Sequence, residues 1–147
     1  MFGTFNATGL SGLAVGGLFG GMLFFSFVMA PLIFRKLPLE AASRFVRQVF
    51  PVYYLAMGAL AASALVLVVF ASEALWSLDV VLLAAIFLGF AVSRQLLMPR
   101  INFYRDRELR GDTMAGRWFA RLHASSVAIN LLQLLASSIV LLRISSL

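Results

Sequence analysis

Apolar residues along this chain run in four long blocks, separated by short polar stretches. The blocks cover residues 10–34, 52–71, 75–98 and 119–142. Each reaches the roughly 20 residues that an α-helix needs to cross a bilayer. The pattern predicts an all-α integral membrane bundle of four transmembrane helices, forming one domain over residues 1–147.

The fourth block breaks its apolar pattern in a regular way. His123, Ser126, Asn130, Gln133 and Ser137 follow one another at steps of 3, 4, 3 and 4. At 3.6 residues per turn they share a stripe about 80° wide. Lipid cannot satisfy such a stripe, so it is expected to face other helices or a small polar cavity. The first block carries a second pattern. Gly12, Gly16 and Gly20 form one glycine ladder, and Gly17 and Gly21 form another beside it. Glycine at every fourth position lets helix backbones approach closely, so this face is expected to pack against other helices, of the same chain or of another. The bulky stretch MLFFSFVMAPLIF that follows is expected to face lipid or fill the core.

Between the blocks, Pro38 can open a helix at its first turn. LEAASRFVRQVF then reads as a short amphipathic helix on the membrane surface, with Ala42, Phe45, Val46 and Val49 on its apolar side. Pro51 is placed to start the second span, with Tyr53 and Tyr54 at interfacial depth. Glu73, Trp76 and Asp79 mark a short turn, the acids reading as solvated caps. Residues 100–118 are the most polar, and Gly111–Asp112 is expected to split them into two helical pieces. The two halves share a faint parallel repeat: Pro31 lies 19 residues before Phe50, and Pro99 lies 20 before Phe119.

Charge orients the bundle. Of the 12 Lys and Arg residues, all but Arg143 fall in 35–48 or 94–121, which share one side of a four-span protein. The positive-inside rule places both stretches in the cytoplasm as short amphipathic connectors, with both termini outside. The net charge of +6 then reflects orientation and contact with anionic lipids, not nucleic-acid binding. Residues 1–10 hold no Lys or Arg, so the first apolar block is expected to be a retained span rather than a cleaved signal. The expected location is the bacterial inner membrane. Only 12% of residues are charged, about half the share in a soluble domain.

Little catalytic chemistry is on offer. There is no cysteine, which removes disulfides, thiolate metal sites and a Cys nucleophile. His123 is the only histidine, and no carboxylate stands at helical spacing from it. No HExxH or phosphate-loop motif occurs. The chain is expected to be non-enzymatic and without cofactor. His123 reads first as a hydrogen-bonded neutral imidazole near the cytoplasmic end. A second reading groups it with Tyr54, Arg94 and Gln95, at the same depth, as a polar ligand or proton site. A third makes it a haem ligand, with Met57 or a second subunit's His123 opposite. Asn130 and Gln133 read mainly as links between helices.

Two segments, IFRKLPLEAASRFVRQVFPVYYLAMG and FARLHASSVAIN, together with Pro99–Arg100, carry a resemblance. The pattern Phe34, Leu37, Pro38, Phe50, Pro51, Tyr53, Phe119, His123, Ser126 and Asn130 is similar to that of the transmembrane protein 205-like family. These are small four-helix membrane proteins classed as a domain of unknown function. The resemblance implies the four-helix fold and no settled activity. A vertebrate branch associated with vesicle membranes and drug resistance adds weight to small-molecule handling. The chain departs from longer members in its compact cytoplasmic loop, and from some in having no histidine in the first span. The expectation is a helix-packing accessory or assembly subunit of a membrane complex, or a homo-oligomer. The alternative is a transport or efflux component for a drug, lipid or metal.

Overall fold

The computed structural model describes residues 7–71 and 77–146. Glu73 and Trp76, and the start of the third apolar block, lie outside them. Four helical rods account for the described residues. The first is α1 (Ala7–Phe24), a π-helical turn (Phe25–Met29) and α2 (Ala30–Lys36). The second is α3 (Leu39–Ala71). The third is α4 (Leu78–Val92), a π-helical turn (Ser93–Leu97) and α5 (Met98–Leu109). The fourth is α6 (Thr113–Ser145). Each rod is long and apolar enough to cross a membrane.

Local chemistry sets the ends. Leu37 precedes Pro38, is pushed into extended backbone (φ −105°, ψ 143°) and stops α2. Pro38 then offers its carbonyl to the Ala42 amide at 2.9 Å, opening α3. Ser77 caps α4 by accepting from the Val80 amide. At the α5–α6 turn, Gly111 adopts φ +95°, which favours glycine. The amides of Gly111 and Asp112 close on the carbonyls of Glu108 and Arg107, a Schellman closure. The Asp112 carboxylate accepts from the Ala115 amide at 3.1 Å and starts α6. That bond, helped by Arg107, holds the Asp112 carboxyl below the usual carboxylate range. The expected split at Gly111–Asp112 is therefore present.

The expected surface helix is not separate. LEAASRFVRQVF and the second span form one helix of 33 residues, with Pro51 inside it rather than at its start. Likewise α6 begins at Thr113, six residues before the expected span. At 1.5 Å per residue these 33-residue rods are about 50 Å long, against a hydrocarbon core of about 30 Å. Both polar stretches are thus helical extensions beyond the bilayer. Tertiary contacts hold them: Ala42 is fully buried, and Arg47 of α3 pairs with Asp106 of α5.

The faint repeat has a structural counterpart. Each π turn ends two residues before a proline, at Met29 before Pro31 and at Leu97 before Pro99. A proline in a helix lacks its N–H and crowds the carbonyl four residues back. The wider turns, in which Ala30 bonds to Phe25 O and Met98 to Ser93 O, lie where that crowding falls. Packing does not repeat: α5 lies along α6, whereas α2 barely touches α3.

The rods close a ring. α1 packs on α3, α3 on α4, α4 on α6, and α6 back on α1. Val15, Leu18, Met22, Ala61, Ala64, Leu83, Ile86, Phe90 and Val140 fill the centre. Leu13, Phe27, Leu55, Leu88, Leu132 and Leu135 point outward, as a surface bathed in lipid requires. At the end away from the arginine-rich extensions, Arg143 Nε meets Asp79 Oδ1 at 2.7 Å. This joins the last turn of α6 to the first turn of α4, where each charge also suits its helix dipole. Asp79 is an inter-helix ion-pair partner rather than a solvated cap.

Candidate functional site

The inward-facing part of the α6 stripe has four levels, and three of them bond to other rods. Farthest from the arginine-rich end, Ser137 is buried and donates to Leu134 O on its own helix. One turn up, Gln133 is buried and its Nε2 donates to Ile86 O on α4 at 2.9 Å. Gly89 makes the room: a Cβ there would stand 2.7 Å from Gln133 Nε2. At the third level Asn130 joins two rods. Its Nδ2 donates to Ser26 Oγ at 2.8 Å, and its Oδ1 accepts from the Tyr53 hydroxyl at 3.4 Å. Ser126 Oγ lies 3.3 Å from the Tyr54 hydroxyl.

These bonds sit against an aromatic cluster. Phe25 stacks on Tyr53 at 4.2 Å, and Phe50, Tyr54 and Phe90 complete the group with centroids 5.4–6.4 Å apart. Phe25 and Ser26 belong to the first π turn. Stretch MLFFSFVMAPLIF therefore contributes a polar core contact as well as lipid-facing bulk. The sequence signal was a lone serine among phenylalanines. Gly89, likewise unremarkable inside LAAIFLGFAV, is the other residue that the patterns missed.

His123 departs from the stripe. Its side chain is exposed on α6 and stacks on Phe119, at 5.8 Å and 13°. Arg105, itself paired with Glu108, lies over the other partner of that stack, 5.1 Å from the Phe119 centroid. Among the described residues His123 makes no hydrogen bond, so the expected hydrogen-bonded imidazole is corrected to an exposed ring stacked on Phe119. Near this end α6 packs along α5, and the inward side no longer coincides with the stripe. Met57, weighed as a second haem ligand, instead approaches Gly21 on α1. No group of three metal-ligating side chains occurs among the described residues.

Arg94 and Tyr54 do come together, without His123. They line one groove between α3 and the α4 rod, with Gly58, Phe87, Phe90 and Gln95. The glycine ladders divide between neighbours. Gly12 and Gly16 face Ile144 and Leu141 of α6, Gly17 and Gly21 face Leu60 and Met57 of α3, and Gly20 has nothing within 4 Å.

Fold and site together define a small membrane bundle of four spanning helices, tied at its core by an amide–tyrosine network. The chain belongs to a family described as a domain of unknown function, DUF4149, which matches residues 13–110. That stretch holds the first three rods apart from the start of α1, with the tyrosine pair and Arg94, and ends before α6. No curated protein and no solved structure matches the chain.

Proposed function

We propose that this protein is a non-enzymatic assembly subunit that works through an outward face of its first helix. The observation that supports this is Gly20. Two rungs of its ladder, Gly12 and Gly16, are used by α6, but Gly20 is exposed, with open space where its side chain would be. A glycine lowers helix stability and gives lipid little to contact. A second helix lying across it recovers both through close packing. The core amides and hydroxyls fit this reading, since their bonds hold the bundle's own helices together.

The two glycines separate folding from assembly. Gly16→Leu drives bulk towards Leu141 and is expected to lower the yield of folded protein. Gly20→Leu is expected to leave thermal stability unchanged while shifting the protein from a larger species to a monomer in mild detergent. An unshifted mass for Gly20→Leu, or a monomeric wild type, would sink the reading.

In this proposal the protein lies in a bacterial inner membrane with its arginine-rich end in the cytoplasm and both termini outside. The chain has no cysteine, so single cysteines report each end. Ser146→Cys is expected to react with an impermeant maleimide on intact cells, and Arg110→Cys only after the membrane is opened. The reverse pattern would invert the orientation. Closer kinship with the transmembrane protein 205-like family belongs to this reading, and it is why small-molecule handling stands second.

A further inference from the structure

We infer that the groove between α3 and α4 is a binding site for one anionic phospholipid, with its phosphate on Arg94 and an acyl chain running inward. Three observations carry this, none of which involves the Gly20 face.

The first is an unanswered cation. Arg94 projects from the second π turn, and its Nε is buried with no hydrogen-bond partner. Every described carboxylate is already taken. Glu40 holds Arg44, Asp79 holds Arg143, Asp106 holds Arg47, Glu108 holds Arg105 and Asp112 holds Arg107. The sixth, Glu73, follows the far end of α3 in the chain. A guanidinium N–H removed from water strongly favours an anion, and its planar fork suits phosphate. Among the described groups none can supply that charge.

The second is the direction of the groove. α3 runs inward from the arginine-rich end, and α4 runs outward towards it. Tyr54, Arg94 and Gln95 therefore mark the shallow end of the groove, and Gly58, Ala59, Ala62 and Phe87 its deep end. Arg94 is 16 residues beyond Leu78, about 24 Å along its rod, which is near the inner edge of a hydrocarbon core of about 30 Å. A phospholipid in that leaflet has the same order, with the phosphate at the edge and the chain towards the midplane.

The third is shape and access. The groove has a volume of about 270 Å³, just below the usual range for ligand sites, and suits one chain rather than a whole lipid. Small residues at 58, 59 and 62 line it on the α3 side and leave it room. Leu55 and Phe87 at its rim are exposed, so a lipid enters sideways from the bilayer without passing through water.

The test uses full-length protein in mild detergent, titrated with phosphatidylglycerol, phosphatidylcholine or palmitate, with bound lipid counted by native mass spectrometry. One phosphatidylglycerol per chain is expected, held more tightly than phosphatidylcholine. Arg94→Gln is expected to weaken it by about tenfold or more, in line with loss of a charged hydrogen bond. Ala59→Phe, which fills the groove and keeps the charge, is expected to weaken it similarly and decides the matter if Arg94→Gln does not fold. Arg100→Gln, an exposed cation outside the groove, is expected to change nothing. Unchanged binding in Arg94→Gln or Ala59→Phe would overturn the site. An equal loss in Arg100→Gln would mean diffuse charge attraction, and preferential palmitate binding would replace the phospholipid with a fatty acid. Either result would overturn the assignment.

Discussion

Gly89→Ala is expected to destabilise the bundle by about 2 kcal/mol, although alanine is the better helix former. Helix propensity alone favours the substitution by roughly 0.5–1 kcal/mol. Against it, the new Cβ would stand 2.7 Å from Gln133 Nε2 and 3.1 Å from its Cδ. The Gln133 side chain is flexible in principle, but it is buried and pinned to Ile86 O at 2.9 Å. Moving it forfeits that bond, worth about 0.6 kcal/mol on average in a membrane bundle, and crowds the core for about 1–3 kcal/mol more. The crowding decides the sign. Because the clash belongs to a pair, Gln133→Ala in the same chain is expected to remove most of the cost. A double-mutant cycle on unfolding in bicelles reads this coupling. Additive single effects, or a Gly89→Ala variant as stable as wild type, would show that the amide is not pinned.

This pair also shows what a sequence can and cannot reveal. The spans were legible because a bilayer demands about 20 apolar residues whatever the partners are. The break at Gly111–Asp112 was legible because turn chemistry is local. The inward aim of Asn130, Gln133 and Ser137 followed from periodicity, since these are short polar side chains deep in lipid. His123 obeys the same period and still points out, because the direction of "inside" changes where α5 replaces the other rods beside α6. Pro51 suggested a helix start, but whether a helix continues past the membrane depends on contacts such as Arg47–Asp106, 59 residues apart. The glycine ladders drew attention by their repetition, yet their contacts with α6 are ordinary at 3.6–4.0 Å. Tight approaches within the membrane occur at Gly21, against the mobile end of Met57, and at isolated Gly89. Repetition marks a flat helix face; it does not say which rung another atom touches.

Asn130→Leu is expected to cost about 2 kcal/mol, more than either of its partners' substitutions. One amide serves two rods, donating to Ser26 on the first and accepting from Tyr53 on the second. Ser26→Ala removes one bond, and so does Tyr53→Phe, each for roughly 0.6 kcal/mol on the scale of membrane hydrogen bonds. The 3.4 Å Tyr53 bond, longer than ordinary for O–H···O, is the weaker of the two. Losing Asn130 removes both and also leaves two hydroxyls without these partners in an apolar setting, which adds a desolvation cost. The decisive comparison is therefore made in the Ser26→Ala/Tyr53→Phe background. There Asn130→Leu replaces an unpartnered amide by an apolar side chain, and is expected to be neutral or stabilising. Such a reversal would mark Asn130 as a fastener between the first π turn and α3. If Asn130→Leu costs little in the wild-type chain but changes lipid or partner binding, the amide serves a ligand, and the polar core must be reassigned from architecture to recognition.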